Sequence, residues 1–165
     1  ADLPPQAPPL LREHRLYQAD WLMRFYGFTH EEIIVPGTAG MLDLEVDPKL
    51  AWALAHREHF PVNLNRAPKM WLLRVPGLGV RSVQRLLAAR RVRLLRLADL
   101  QQLRVATAKV LPFVETADYH PQPATLESPQ LRQQLLTRMP TTAAQHTHSG
   151  MQLPTQAQLA QLALF

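Results

Sequence analysis

Two glycines one residue apart, Gly77 and Gly79, stand between Val75-Pro76 and Val80-Arg81. Glycine adopts φ > 0 without steric cost, and proline halts a helix that arrives from its N-terminal side. The segment therefore predicts helix, tight turn, helix, with Leu78 plugging the gap between the two helices. A turn of this kind that opens a helix leaves backbone N–H groups without intrahelical partners. Together with the positive end of the helix dipole these donors make an anion site. The chemistry on offer is capture of a phosphate by the amides of Gly77, Leu78, Gly79 and Val80, with Arg81, Arg85, Lys69 and Arg90 as flanking cations. A dinucleotide-binding loop fits worse, because no strand precedes Gly77 and Ser82 stands where a third glycine belongs. The plainer alternative is a helical hairpin with no ligand.

Other chemistry-bearing residues converge less. His14, Arg15, Tyr17 and Asp20 share one N-terminal stretch and offer acid–base or ligand groups. Their simpler role is to pair this stretch with a neighbouring domain. His56 and His59 are three apart, a spacing that suits two metal ligands on a helix, but only Glu58 accompanies them. A solvated helix end accounts for them more simply, and a solvated tail for His146 and His148. The chain has no cysteine, which excludes disulfides and thiolate-held clusters within it. No catalytic residue and no metal ligand set is assigned.

Charge points the same way as the glycine turn. The formal net charge is +5, yet residues 66–113 carry eleven Lys/Arg and a single acid, Asp99. The remainder of the chain is acidic on balance. Cations concentrated on one segment are the electrostatic footprint of a nucleic-acid binder. A solvated arginine-rich helix face is the competing reading. Nothing in the chain is apolar for long enough to span a membrane.

The elements that must position these residues read as helices. The first runs from Glu13 or His14 to Tyr26, dominated by Leu16, Trp21, Leu22, Phe25 and Tyr26 and closed by Gly27. Thr29-His-Glu-Glu32 is a capping box for a short helix through Ile34, followed by a loop over Pro36–Gly40. Asp47-Pro48 starts another helix, capped by Asp47 and buried through Leu50, Ala53 and Leu54 with Trp52 nearby. Asn65 is placed to cap the first hairpin helix, and Val80–Arg91 forms the second. Leu94–Leu103 predicts an amphipathic helix with Asp99 outward. With Val105–Phe113 it suggests a second, degenerate hairpin, in which Arg104-Val105 replaces the glycine turn. That copy would bury the apolar face of the first rather than hold phosphate, although Lys109 could touch a backbone phosphate.

Asn65, Ala67, Leu72, Val75-Pro-Gly-Leu-Gly79, Leu86-Leu87 and Arg90 resemble the helix-hairpin-helix motif of DNA repair and uptake proteins. Val83 departs from the small residue usual at the helix crossing. The resemblance implies sequence-independent grip on the DNA backbone, with a monovalent cation held by hairpin carbonyls. A longer likeness covers roughly residues 10–115. It is carried by His14–Phe28, Leu42-Asp-Leu44, Asp47–Leu54 and Phe60–Ala67. These blocks resemble the C-terminal region of radical SAM proteins, assigned to DNA modification or repair, that carry such a hairpin. The likeness implies an N-terminal catalytic barrel with an iron–sulfur cluster and S-adenosylmethionine, and a bacterial cytoplasmic setting. This chain lacks the cysteines for that cluster, so no cofactor is assigned within it. Its start at Ala1 rather than Met reads as a fragment.

Residues 118–158 are rich in Gln, Pro, Thr and His and are expected to be mostly disordered, with a short helix from Ser128 to Arg138. The C-terminal Gln161-Leu-Ala-Leu-Phe165 resembles the peptide by which bacterial repair proteins dock on the DNA sliding clamp. Leu162, Leu164 and Phe165 would fill apolar pockets and Gln161 would make a directional hydrogen bond. An amphipathic helix over Gln156–Phe165 is the alternative. The expected fold is all-α: an N-terminal helical arm (1–40), a tandem helix-hairpin-helix domain with a degenerate second copy (41–116), and a disordered tail (117–165). The expected partners are DNA, the chain's own N-terminal catalytic domain and the sliding clamp, with no membrane. The alternative function is a protein–protein module that recruits an enzyme to the clamp or to a partner subunit.

Overall fold

The computed structural model describes residues 9–34 and 40–138. Helices dominate. Helix α1 (Pro9–Phe25) starts earlier than its apolar pattern predicts, with Pro9 tolerated in the first turn. Only one of its faces is buried, through Ala19, Leu22 and the following Tyr26. Leu16 and Phe25, two of the apolar residues that dominate it, are 55% and 51% exposed. Phe25 instead lies against Trp21 at a tilt of 39°, and Trp21 meets Tyr17 edge-on.

Helix α2 (His30–Ile33) has the predicted capping box: Glu32 N–H donates to Thr29 Oγ1 and Thr29 N–H donates to Glu32 Oε2 at 2.8 Å. Most of the Pro36–Gly40 loop lies outside the described residues. Helix α3 (Pro48–Ala55) is the hub. Leu50 N–H donates to the capping carboxylate of Asp47 at 2.9 Å, and Lys49, Leu50, Ala51, Trp52 and Ala53 are all buried. Leu54, also expected in the core, is half-buried.

The chain is not purely helical. Strand β1 (Val62–Asn63) pairs in parallel with β2 (Val114–Glu115), matching Val62 to Val114 and Asn63 to Glu115. Two residues a strand leave no alternation to detect in sequence. Asn65 does not cap a helix. Its side chain accepts from Leu95 N–H at 2.7 Å and donates to Leu95 O at 3.1 Å, clasping the far side of the hairpin. Helix α4 (Lys69–Leu72) begins after Pro68 with no side-chain cap and is shorter than predicted. Helix α5 (Val80–Arg90) falls where predicted. Helix α6 (Leu97–Gln102) follows, and Asp99 points to its own helix start rather than outward. The Asp99 carboxylate accepts from Arg96 N–H at 2.8 Å and from the Arg93 guanidinium. The Arg96 N–H, first among these influences, holds its carboxyl below the usual carboxylate range. Helix α7 (Thr107–Val110) leads through a 3₁₀ turn into β2.

Residues 118–138, expected to be mostly disordered apart from a short helix over Ser128–Arg138, pack onto the core, and the expected helix is present over Leu131–Arg138. Helices α8 (Pro123–Glu127) and α9 (Leu131–Arg138) bury Leu126, Leu131 and Leu135. The Arg57 guanidinium donates to the carbonyls of Leu126 and Ser128 at 3.1 and 2.6 Å. Arg132 reaches back to Asp43 at 2.5 Å and Glu45 at 2.7 Å. The N-terminal arm likewise packs on α3. Among the described residues no helix is long and apolar enough to cross a membrane.

Candidate nucleic-acid interface

The hairpin turn bends as its sequence requires at one glycine only. Gly77 has φ +89°, whereas Gly79 is the extended N-cap of α5 at φ −80°. One left-handed residue reverses the chain, so the second left-handed angle expected at Gly79 is not used. The matching turn between α6 and α7 places Arg104 at φ +55°, a conformation that a side chain rarely tolerates.

The turn faces inward. Gly77, Leu78 and Gly79 are buried. A Cβ on Gly77 would lie 2.6 Å from Val110 Cγ2 of α7. Val80 N–H donates to Tyr26 Oη at 3.3 Å, so this predicted phosphate donor is engaged by α1. Beside the Tyr26 ring, 4.6 Å from its centroid, Lys49 Nζ donates to Leu78 O at 2.5 Å. The Lys49 side chain thus satisfies a hairpin carbonyl. Burial pushes the Lys49 proton affinity well below the ordinary lysine value; Asp47 opposes that shift and Lys109 adds to it. Lys109, expected to touch phosphate, is itself buried and ion-paired with Asp47. Burial alone would raise the Asp47 carboxyl, but Lys109 and the Leu50 N–H outweigh it and hold it low.

Among the predicted flanking cations the placements divide. Arg90 Nη1 donates to Ala67 O at 2.6 Å and Leu64 O at 3.3 Å, bracing the hairpin. Arg74 is buried and clamped on Glu32. Lys69, Arg81 and Arg85 are exposed. Helical spacing puts Arg81, Arg85 and Ala88 on one outer face of α5, opposite the buried Val83 and Leu86. Arg66, Arg91 and Arg104 are also exposed. None of these six cations forms an ion pair among the described residues. At the first turn of α5 the N–H groups of Arg81 and Ser82 have no helical acceptor, because an α-helix leaves its leading amides unpaired.

The remaining candidates sit elsewhere. Arg15 donates to the carbonyls of Leu44 and Glu45 and to Gln18, and Asp20 pairs with Arg24. His14 is lowered by burial first and by Arg15 second. The His56 and His59 rings lie nearly parallel at 6.2 Å, and each is nearly parallel to Trp52, at 4.7 and 6.0 Å. Among the described residues no three or more His, Cys, Asp or Glu side chains are grouped to hold a metal. The clamp-like residues Gln161, Leu162, Leu164 and Phe165, and the pair His146 and His148, lie outside the described residues.

The fold also gathers an aromatic cluster that the sequence does not announce. Trp52, Trp71, Phe28, His56 and His59 surround the Arg74 guanidinium, which lies 4.4 Å from the Phe28 ring centroid and 4.8 Å from that of Trp52. A local signal exists, as three rings within five residues of one another at His56, His59 and Phe60, but nothing in sequence sets Trp71 beside them. No protein-family model, curated protein or solved structure matches the chain.

Proposed function

We propose that the chain binds DNA through its backbone phosphates, without sequence selection, using exposed cations rather than a glycine cradle. One observation carries the reading: Arg66, Lys69, Arg81, Arg85, Arg91 and Arg104 are exposed and free of ion pairs among the described residues, while Asp99, the one acid of their segment, is turned onto its own helix start. The N-terminal turn of α5 adds two unpartnered amides beside Arg81. Left-handed residues at matching places, Gly77 and Arg104, support a tandem hairpin whose second copy lost its glycine. Such a module would bring a radical SAM enzyme acting on DNA to its substrate. The cluster and S-adenosylmethionine would belong to that enzyme's catalytic barrel.

The test is fluorescence anisotropy with a 20-bp duplex at several salt concentrations. Substituting Gly77 would disturb the packing on α7, so charge is reversed at exposed positions instead. Arg81→Glu/Arg85→Glu should weaken binding at least tenfold and lower the salt slope by about two, one unit for each phosphate no longer neutralised. Duplexes of unrelated sequence should bind alike. Absence of binding at low salt, or a variant indistinguishable from the parent, would overturn the reading.

A further inference from the structure

We infer that Trp71, with the His59 ring beside it, is a stacking platform for an unpaired base of a single-stranded nucleic acid. The inference rests on the backbone-binding reading for the strand's phosphates. It adds a base-binding site that the arginine face of α5 does not supply.

The rings form a continuous array. Trp52 lies 4.7 Å from His56 and 6.0 Å from His59, both nearly parallel to it, and His59 lies 5.0 Å from Trp71 at a tilt of 38°. Trp52 is buried and forms the root, whereas His59 is exposed and Trp71 half-buried. The outer end of the array therefore opens to solvent. Clefts flank it on two sides. One, of about 330 Å³, is lined by Glu32, His56, His59, Met70, Trp71 and Arg74. The other, of about 380 Å³, lies between Glu58, Asn63, Ala67 and the same two rings. Each is at the small end of ligand pockets, a size that suits one heterocyclic ring system.

The chemistry of the first cleft selects among occupants. Its cationic position over the rings is already filled by Arg74, held by Glu32 at 2.7 and 3.2 Å and by Gly27 O at 3.4 Å. Over Phe28 and Trp52 a ligand cation is thereby excluded. His56 Nδ1 meets Trp52 O at 2.9 Å, which leaves its second ring nitrogen for a polar edge. A flat ring with donors and acceptors on its rim satisfies such a site better than an aliphatic chain does. Arg66 and Lys69, exposed within five residues of Trp71, are placed to meet the flanking phosphates. A base locked in a duplex cannot enter a cleft; an unpaired one can stack on an aromatic face.

The experiment uses the full chain and three probes: a dT20 strand, an abasic strand of equal length and a 20-bp duplex. Loss of one base–aromatic stack weakens binding about 5- to 150-fold. Trp71→Ala should therefore reduce dT20 affinity about tenfold or more, leave the duplex affinity and the salt slope unchanged, and be rescued by Trp71→Phe. His59→Ala, at an exposed ring, should weaken dT20 in the same selective way. If both alanine variants bind dT20 as the parent does, or if the abasic strand binds as tightly as dT20, the platform is overturned and the backbone reading stands. Equal losses on strand and duplex overturn the platform too. If no probe binds at low salt, the backbone reading fails by itself. Quenching of tryptophan fluorescence by thymidine monophosphate then decides the platform: quenching lost in Trp71→Ala upholds it, and no quenching in the parent overturns it.

Discussion

Gly77 shows how one residue joins the hairpin to the rest of the molecule. Its φ of +89°, and the 2.6 Å that would separate a Cβ there from Val110, make two separate demands on any side chain. A left-handed angle costs an L-residue about 1–2 kcal/mol, and overpacking about 1–3 kcal/mol. Gly77→Ala should therefore lower stability by about 2–5 kcal/mol in urea denaturation. In a Val110→Ala background the same change should cost only its conformational part, so the cycle is non-additive. Additivity would show that the turn and α7 do not touch in solution. Lys49 offers a second test. Because burial disfavours its ammonium, the folded chain binds fewer protons than the unfolded chain from its lowered pKa up to the ordinary 10.5, and stability rises with pH through that window. Tyr26, pushed up to about 12 by burial, acts oppositely: the unfolded phenol ionises near 10, so stability falls from there to 12. The urea midpoint should pass through a maximum near pH 10, and Lys49→Met should flatten the rising limb. A parent midpoint constant from pH 7 to 10 would contradict a Lys49 proton affinity lowered by burial. Neither Lys49 nor Lys109 could be read as buried from sequence, because Leu78 and Asp47, which hold them, stand 29 and 62 residues away.

At the scale of elements, legibility follows local chemistry. The capping box at Thr29 and Glu32, the Asp47-Pro48 helix start and the amphipathic stripe of α5 each depend on residues within one or two turns, and sequence alone predicts all three. The β1–β2 ladder escapes prediction because its two strands lie about fifty residues apart and are two residues long. Helix α8 is hidden by composition: Gln and Pro surround Leu126, and three well-spaced leucines suffice to dock α8 and α9. Leu135→Ala should cost about 2–5 kcal/mol, the range for a buried leucine, in thermal or urea denaturation. A change below about 0.5 kcal/mol, the surface range, would return this segment to the disordered tail.

For the whole molecule, counting charge locates the basic segment but overstates the cations free to meet DNA. Arg74, Arg90 and Lys109 are engaged by Glu32, by backbone carbonyls and by Asp47. The duplex-binding test at Arg81 and Arg85 belongs to this scale, since it reads the summed field of the remaining cations rather than any single contact. The aromatic cleft is illegible in sequence for the same reason as the ion pairs: it gathers Phe28, Trp52, His59 and Trp71 from separate elements. The ties between Asp43 and Arg132, Asp47 and Lys109, and β1 and β2 also bear on biosynthesis. A ribosome delivers Leu50, Trp52 and Phe60 long before Leu131 and Leu135, which complete their core. The emerging chain holds Asp47 without its lysine until residue 109 has left the exit tunnel. The contacts that complete this core can form only once those later residues have emerged, and until then the nascent first half exposes the apolar surface that chaperones bind.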